Sequence, residues 1–427
     1  MSAKIVSIAN GVEGLFVENN RFNTTSISYN FYLPLKAETV AENALLPFIL
    51  TASSQKYPDF SALNLKLNKL YGARLDASAE KYGDCQLLSM RISCINDRFT
   101  FDSDSLVKAA SDMLLGLIFE PNLENGAFME SDLQREKRKA IEHIKGEIAE
   151  KRVYAKNLLI SEMFKGDAYG ISKCGTVEQV KAITGESLYK AWQNMLSSAF
   201  VRVQVIGESL PSRFFEGVSE RFSEIVRDNI TDYRLCKPAT PAKKVNTVFE
   251  KMDVKQGKLV MGFSTELYGD DDISLPLMVM CDIFGGAPYS RLFTNVREKM
   301  SLCYYCAAST VRYKGLLTVD SGVEWQNADK AVDEILNQLE IMQKGEFTDF
   351  EFESSIKSIC DTLKGNYDSQ NGIDLWYALK INNRQLYSPE DIIEKVKAIT
   401  REDVIYAAKG VKLHTIYKLL PKEGPIC

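Results

Sequence analysis

The pentapeptide Val180-Lys-Ala-Ile-Thr184 recurs as Val396-Lys-Ala-Ile-Thr400. A chain that repeats itself is restricted to architectures in which one unit is used twice. Each copy runs into an acidic helical start, Glu186 in the first and Glu402-Asp403 in the second, and Ile-Thr-x-Glu reads as a helix N-cap entering its first turn. A strand pattern then follows near the end of each half, Val201–Ile206 and Leu413–Tyr417. Other segments keep the same order. Alternating strands open the halves at Ser26–Tyr32 and Lys258–Phe263, and long amphipathic helices follow. The pattern predicts one helix over Leu133–Arg152, with Ile141, Ile144 and Ile148 as its apolar stripe, and Phe350–Leu363 as its counterpart. Between the halves, Asp228–Lys244 holds Pro238, Pro241 and three lysines with little apolar content. The expected domains are therefore residues 1–230 and 245–427, joined by a linker over 231–244, with each domain near the usual size. Strands and helices in mixed order point to an α+β fold, a largely antiparallel sheet with helices packed on one face.

Composition removes several classes of function. The net charge of -5 comes from 57 acids and 52 bases spread along 427 residues, so no basic stripe exists to gather phosphates, and nucleic acid is excluded as a partner. Met1–Asn20 lacks a basic region followed by an apolar run, and the longest apolar stretch, Leu275–Phe284, is interrupted by Pro276 and Asp282. Neither a signal peptide nor a membrane span is expected. Nine cysteines without regular spacing fit reduced thiols and a cytoplasmic location. Cys303 and Cys306 form a C-x-x-C pair in a strand-like stretch, where side chains three apart point to opposite faces, so a shared metal or redox bond is not expected. Asp270-Asp-Asp272 reads as a helix cap before Pro276 rather than a cation site. Phosphate-cradling and serine-hydrolase motifs are missing.

The stretch Phe284-Gly-Gly-Ala-Pro-Tyr-Ser-Arg-Leu-Phe-Thr-Asn-Val-Arg-Glu-Lys-Met-Ser-Leu-Cys-Tyr-Tyr305 carries most of the remaining information. Gly285-Gly286 ends one helix, Ser290 can cap the next, and Leu302 opens a strand. Arg291 then falls in a first helical turn, where a cation opposes the macrodipole. Either a nearby carboxylate pairs with it, or it serves a ligand. The wording resembles the second-domain signature Gly-Gly-x-x-x-Ser-Arg-Leu-Phe-x-x-Leu-Arg-Glu-Lys-x-Gly-Leu-x-Tyr of the M16 metallopeptidases, the pitrilysin and mitochondrial processing peptidase family. Phe347–Phe352 and the two pentapeptides also look like family positions. The resemblance implies a half clam-shell of two homologous domains, with Arg291 and Tyr304 reaching an extended peptide.

Active members of that family carry His-x-x-Glu-His on a first-domain helix, since residues four apart can share one zinc while the glutamate activates water. This chain has only His143 and His414. Counting back from Leu70–Ala77, which resembles a family turn, places Leu46, Ile49 and Leu50 at the ligand positions, and every register within Ala44–Leu50 offers hydrocarbon and a proline. The later ligand position falls on Glu142 or His143. The resemblance therefore implies a non-catalytic chain that holds no cofactor. It would pair with a homologue that retains His-x-x-Glu-His and its zinc. The resemblance is closest to bacterial silent members, including those associated with the aminopentanol modification of elongation factor P. Competing readings are a zinc endopeptidase with substituted ligands, a cysteine-based hydrolase, or a purely structural subunit.

Overall fold

The repeat is visible in the order of strands. A computed structural model of the chain describes residues 3–101, 105–234, 236–269, 271–381 and 385–422. In the first half, β1 (Ala3–Ala9), β2 (Val12–Glu18), β3 (Thr24–Pro34), β4 (Arg74–Tyr82), β5 (Cys85–Ile95) and β6 (Phe200–Gly207) form a sheet of order β1-β2-β6-β3-β5-β4. In the second, β7 (Asn246–Met252), β8 (Gly257–Ser264), β9 (Cys303–Val311), β10 (Leu316–Val323) and β11 (Lys412–Pro421) are ordered β9-β10-β8-β11-β7. Read from opposite ends, five strands correspond, β2-β6-β3-β5-β4 with β7-β11-β8-β10-β9, and β1 has no counterpart among the described residues. The parallel pairs, β2 with β6 and β11 with β7, stand at matching places, and the neighbouring pairs are antiparallel.

The pentapeptides occupy equivalent joints. Helices α1 (Val40–Leu50), α2 (Glu130–Ala149), α3 (Lys151–Met163), α4 (Val177–Ala182) and α5 (Gly185–Ser198) belong to the first half, and α6 (Asp349–Gly365), α7 (Gln370–Ala378), α8 (Pro389–Lys397) and α9 (Arg401–Lys409) to the second. Thr184 caps α5 and Thr400 caps α9, each in a reciprocal box with the residue three further on. The hydroxyl of Thr184 accepts from the Ser187 N–H at 3.1 Å, and that of Thr400 from the Asp403 N–H at 3.2 Å. Each capped helix then feeds the strand, β6 or β11, that lies inside its sheet.

The compact units do not follow the sequence halves. One comprises Met1–Lys145, Ile171–Leu235 and Tyr367–Ile381; the other comprises Gly146–Gly170, Cys236–Asn366 and Asn382–Cys427. Each half thus gives up the helix that follows its long amphipathic one, α3 in the first and α7 in the second. The single helix expected over Leu133–Arg152 is accordingly broken at Glu150, which leaves the helical conformation and caps α3, and Ile148 on the expected stripe is exposed. A two-sided sheet explains the exchange. One face is covered by helices of the same half, and the opposite face is covered by the exchanged one.

The two dockings differ in chemistry. In the second unit α3 lies on β8 and β11 through Ala155 and Leu159 against Val260, Tyr417 and Leu419. A β-carbon at Gly262 would come within 2.8 Å of Met163 Sδ, so any larger residue there would displace the Met163 side chain. In the first unit α7 is held by hydrogen bonds. Ser28 Oγ donates to Asp374 Oδ1 at 2.6 Å, Gln204 Nε2 donates to the same oxygen at 2.9 Å, and Thr24 Oγ1 donates to Gln370 Oε1 at 2.6 Å. The last carbonyls of α7 are also satisfied, Ala378 O by Tyr32 OH at 2.7 Å and Tyr377 O by Arg202 Nη1 at 2.8 Å.

Among the described residues, 224–245 form no helix or strand, and Tyr233 within them packs on Phe200 with ring centroids 4.3 Å apart. Asp270 lies outside the described residues, while Asp271 and Asp272 open a helix, Asp271 paired with Arg312 and Asp272 with Lys395. No described helix is long and apolar enough to cross a membrane.

Candidate binding site

In the first unit a cavity of about 510 Å³ opens between α1, β4 and α2. Helix α1 contributes Ala41, Ala44, Leu45 and Phe48, the strand contributes Ala77–Glu80, and α2 contributes Arg135, Glu136, Lys139, Ala140 and His143. Phe60, from the helix after α1, stands at the rim. Two i, i+4 pairs of α1 line the cavity, Ala41 with Leu45 and Ala44 with Phe48. This shifts the register reached by counting from Leu70–Ala77. Leu46, Ile49 and Leu50 are fully buried in the core instead, because a helix with an apolar majority turns its largest aliphatic side chains toward the sheet.

The acidic groups near the cavity are already engaged. Glu136 is buried and accepts from Arg135 Nε and Lys139 Nζ, both at 2.9 Å, while Asp132 accepts from Ser53 Oγ at 2.5 Å and Arg135 Nη1 at 2.7 Å. His143 lines the cavity, whereas Glu142 lies along a separate groove with Arg138 and Lys145. Among the described residues no three His, Cys, Asp or Glu side chains converge as a metal site. The α1 residues on the cavity, Ala41, Ala44, Leu45 and Phe48, carry no side-chain donor atom, and the buried Glu136 is neutralised by two cations on its own helix, so this lining does not fit a zinc ion.

Sequence reasoning did not anticipate the strand wall. Among the described residues β4 terminates its sheet and pairs only with β5, which leaves its outer edge without a neighbouring strand. Its position in the sheet was not readable from the short run Arg74–Tyr82. The i, i+4 spacing of Ala44 and Phe48 was readable, had the register been set by the cavity face.

In the second unit Arg291 and Tyr304 have different surroundings. Arg291 precedes a wide-turn helical segment, Leu292–Lys299, whose start is capped by the buried Ser290 hydroxyl accepting from the Phe293 N–H at 3.5 Å. Its Nη1 meets Glu351 Oε1 at 3.2 Å, and its Nε donates to Gln338 Oε1 at 2.9 Å. Glu351 also closes the capping box of α6 with Thr348. The ion pair is largely enclosed, with side-chain exposures of 12% and 14%. Tyr304 is 62% exposed, its hydroxyl 3.5 Å from Glu324 Oε1.

Tyr304 is also the extra residue of a β-bulge. The register of β9 on β10 passes from Cys303 opposite Val323 to Tyr305 opposite Gly322 and Cys306 opposite Ser321. The bulge inverts the side-chain parity, so Cys303 and Cys306 lie on one buried face, against the expectation of opposite faces.

A repeated α+β chain whose would-be metal helix presents hydrocarbon is a zinc-peptidase fold without the zinc ligands. The chain belongs to the M16 peptidase family. The profile of the peptidase M16 inactive domain matches residues 182–359. The "Probable inactive metalloprotease YmfF" of Bacillus subtilis is 30% identical over 97% of both chains. A conserved protein from Enterococcus faecalis superposes with a TM-score of 0.92 at 25% identity over 99% of this chain and all of that one. The peptidase M16 inactive domain from Pseudomonas fluorescens shares the fold, with a TM-score of 0.77 and 16% identity over the whole of both chains. The fold and the non-catalytic character expected from the sequence agree with these relatives.

Proposed function

We propose that this chain is a peptide-binding subunit that works beside a zinc-bearing homologue. One observation carries the reading: an apolar cavity at the would-be metal position is walled by a sheet-terminal strand. An extended peptide can add to such an edge through backbone hydrogen bonds, and its side chains then alternate, every second one facing the cavity. The volume suits one or two large apolar side chains. Tyr304 is the open contact of the second unit, and Arg291 supports the turn before it through Glu351. Water activation would be left to the partner, since nothing on α1 can perform it.

The test is binding of labelled peptides with alternating apolar residues to the purified chain, followed by reconstitution with a homologue retaining His-x-x-Glu-His. Phe48→Arg should weaken binding at least ~10-fold, the equivalent of losing about 1.5 kcal/mol of apolar burial. Phe48 is 40% exposed, so the substitution should leave the fold intact. The chain alone should cleave no peptide, and the mixture should co-elute on size exclusion. Unchanged affinity in the variant would remove the cavity from the reading; failure to associate with any zinc-bearing relative would leave a structural subunit.

A further inference from the structure

We propose that Cys303 and Cys306 form a reversible intrachain disulfide that closes across the β-bulge at Tyr304. The geometry rests on the register of β9. The two cysteines stand opposite Val323 and Ser321, two residues apart on the partner strand. Two strand rises amount to about 6.6 Å, inside the upper end, roughly 6.8 Å, of the Cα separations that disulfides span. A regular strand would place residues three apart on opposite faces; here the bulge residue takes up the extra step and both thiols face Ser321.

The local chemistry favours attack by Cys303. The Cys306 thiol donates to its sulfur, and the Ser321 hydroxyl and the Arg297 guanidinium add to this, so the Cys303 thiol is held below its ordinary pKa. Cys306, hydrogen-bonded to Cys303 and buried more deeply, is held above its own. Cys303, at the strand's start and beside the exposed Tyr304, is the less buried of the two thiols, 8% exposed against 4% for Cys306. With a small-molecule disulfide such as oxidised glutathione, the Cys303 thiolate attacks one sulfur and expels one glutathione thiolate. Cys306 then loses its proton and attacks the Cys303 sulfur, expelling the second. Two protein thiols become one disulfide, and one glutathione disulfide becomes two thiols. Closure draws the ends of the bulge together and fixes the backbone that carries Tyr304.

The experiment incubates the full chain, natively folded, with oxidised glutathione, then blocks free thiols and maps the peptides by mass spectrometry. The expected product is a peptide containing residues 303–306 that has lost two hydrogens, resists alkylation, and recovers both thiols with dithiothreitol. Cys306→Ser should stop at a glutathione adduct on Cys303, and Cys303→Ser should leave Cys306 unmodified. Amide hydrogen exchange over residues 302–307 should slow in the oxidised chain. Both thiols alkylated after oxidation, or a stable adduct on wild-type Cys303, would overturn the disulfide. Unchanged exchange would overturn the fixing of the bulge. None of these readouts depends on peptide binding.

Discussion

Arg291 and Tyr304 stand close together in one signature, yet what holds each of them differs, and so should the effects of replacing them. Arg291→Ala leaves Glu351 largely enclosed without its partner and weakens the start of α6. A cost of about 1–3 kcal/mol is expected, below that of breaking a fully buried pair. Tyr304→Phe removes only an exposed hydroxyl and should change stability by less than about 0.5 kcal/mol. Urea unfolding of the single variants checks both; an unshifted midpoint for Arg291→Ala would show that the pair is not structural. In a reconstituted complex the double variant should lower turnover at least ~10-fold while assembly persists. Asp374 supplies a pH dependence of its own. Burial pushes its carboxyl up to about 6, against the lowering effect of Ser28, Arg91 and Gln204, whereas an unfolded aspartate titrates near about 3.9. The folded state therefore binds the proton more tightly. The stabilisation linked to that proton is fully present below about 4 and is lost as pH rises through about 6. Asp374→Asn should be more stable than the wild type at pH 8, by roughly 3 kcal/mol, with the gap closing as pH falls from about 6 to about 4. A gap independent of pH would mean that the Asp374 carboxyl titrates at the same pH in the folded and the unfolded chain.

At the scale of elements, α1 is the most altered part of the site. A helix that binds zinc must place two imidazoles four apart on its exposed face; α1 places Ala44 and Phe48 there and packs Leu46, Ile49 and Leu50 behind them. α2 completes the change, because Arg135 and Lys139 neutralise Glu136. Protein dialysed against buffer should hold no stoichiometric transition metal by elemental analysis. About one zinc per chain would restore the substituted-ligand endopeptidase. β9 shows the reverse case, in which one inserted residue, Tyr304, re-aims its neighbours without altering the sheet order.

The molecule as a whole is knitted by the exchange of α3 and α7. Residues 1–235 expressed alone would lack α7 and leave Ser28, Gln204, Arg202 and Tyr32 without their partners on it. Unsatisfied buried polar groups cost about 1–3 kcal/mol each, so this fragment should be poorly soluble or unfold at much lower denaturant than the full chain. Adding the second half in trans should recover it. A fragment as stable as the full chain would show that α7 is dispensable to the first sheet.

The sequence by itself determined the repeat, the α+β class, the family and the loss of the zinc ligands. Each of these rests on residue identity and order: two copies of one pentapeptide, one long signature, and two histidines too far apart to cooperate. The caps at Thr184 and Thr400 were legible for the same reason, because a cap is a contact between residues three apart. Only the tertiary structure decided which residues of α1 face the cavity, that β4 ends its sheet, that Arg291 is held by Glu351 sixty positions further on, and that α3 and α7 change units. These depend on packing between distant segments, and period and propensity do not encode which face of an element will find its partner. The parity of Cys303 and Cys306 is the clearest instance: three residues of sequence imply opposite faces, and one bulge, set by pairing with β10, puts both thiols on the same side.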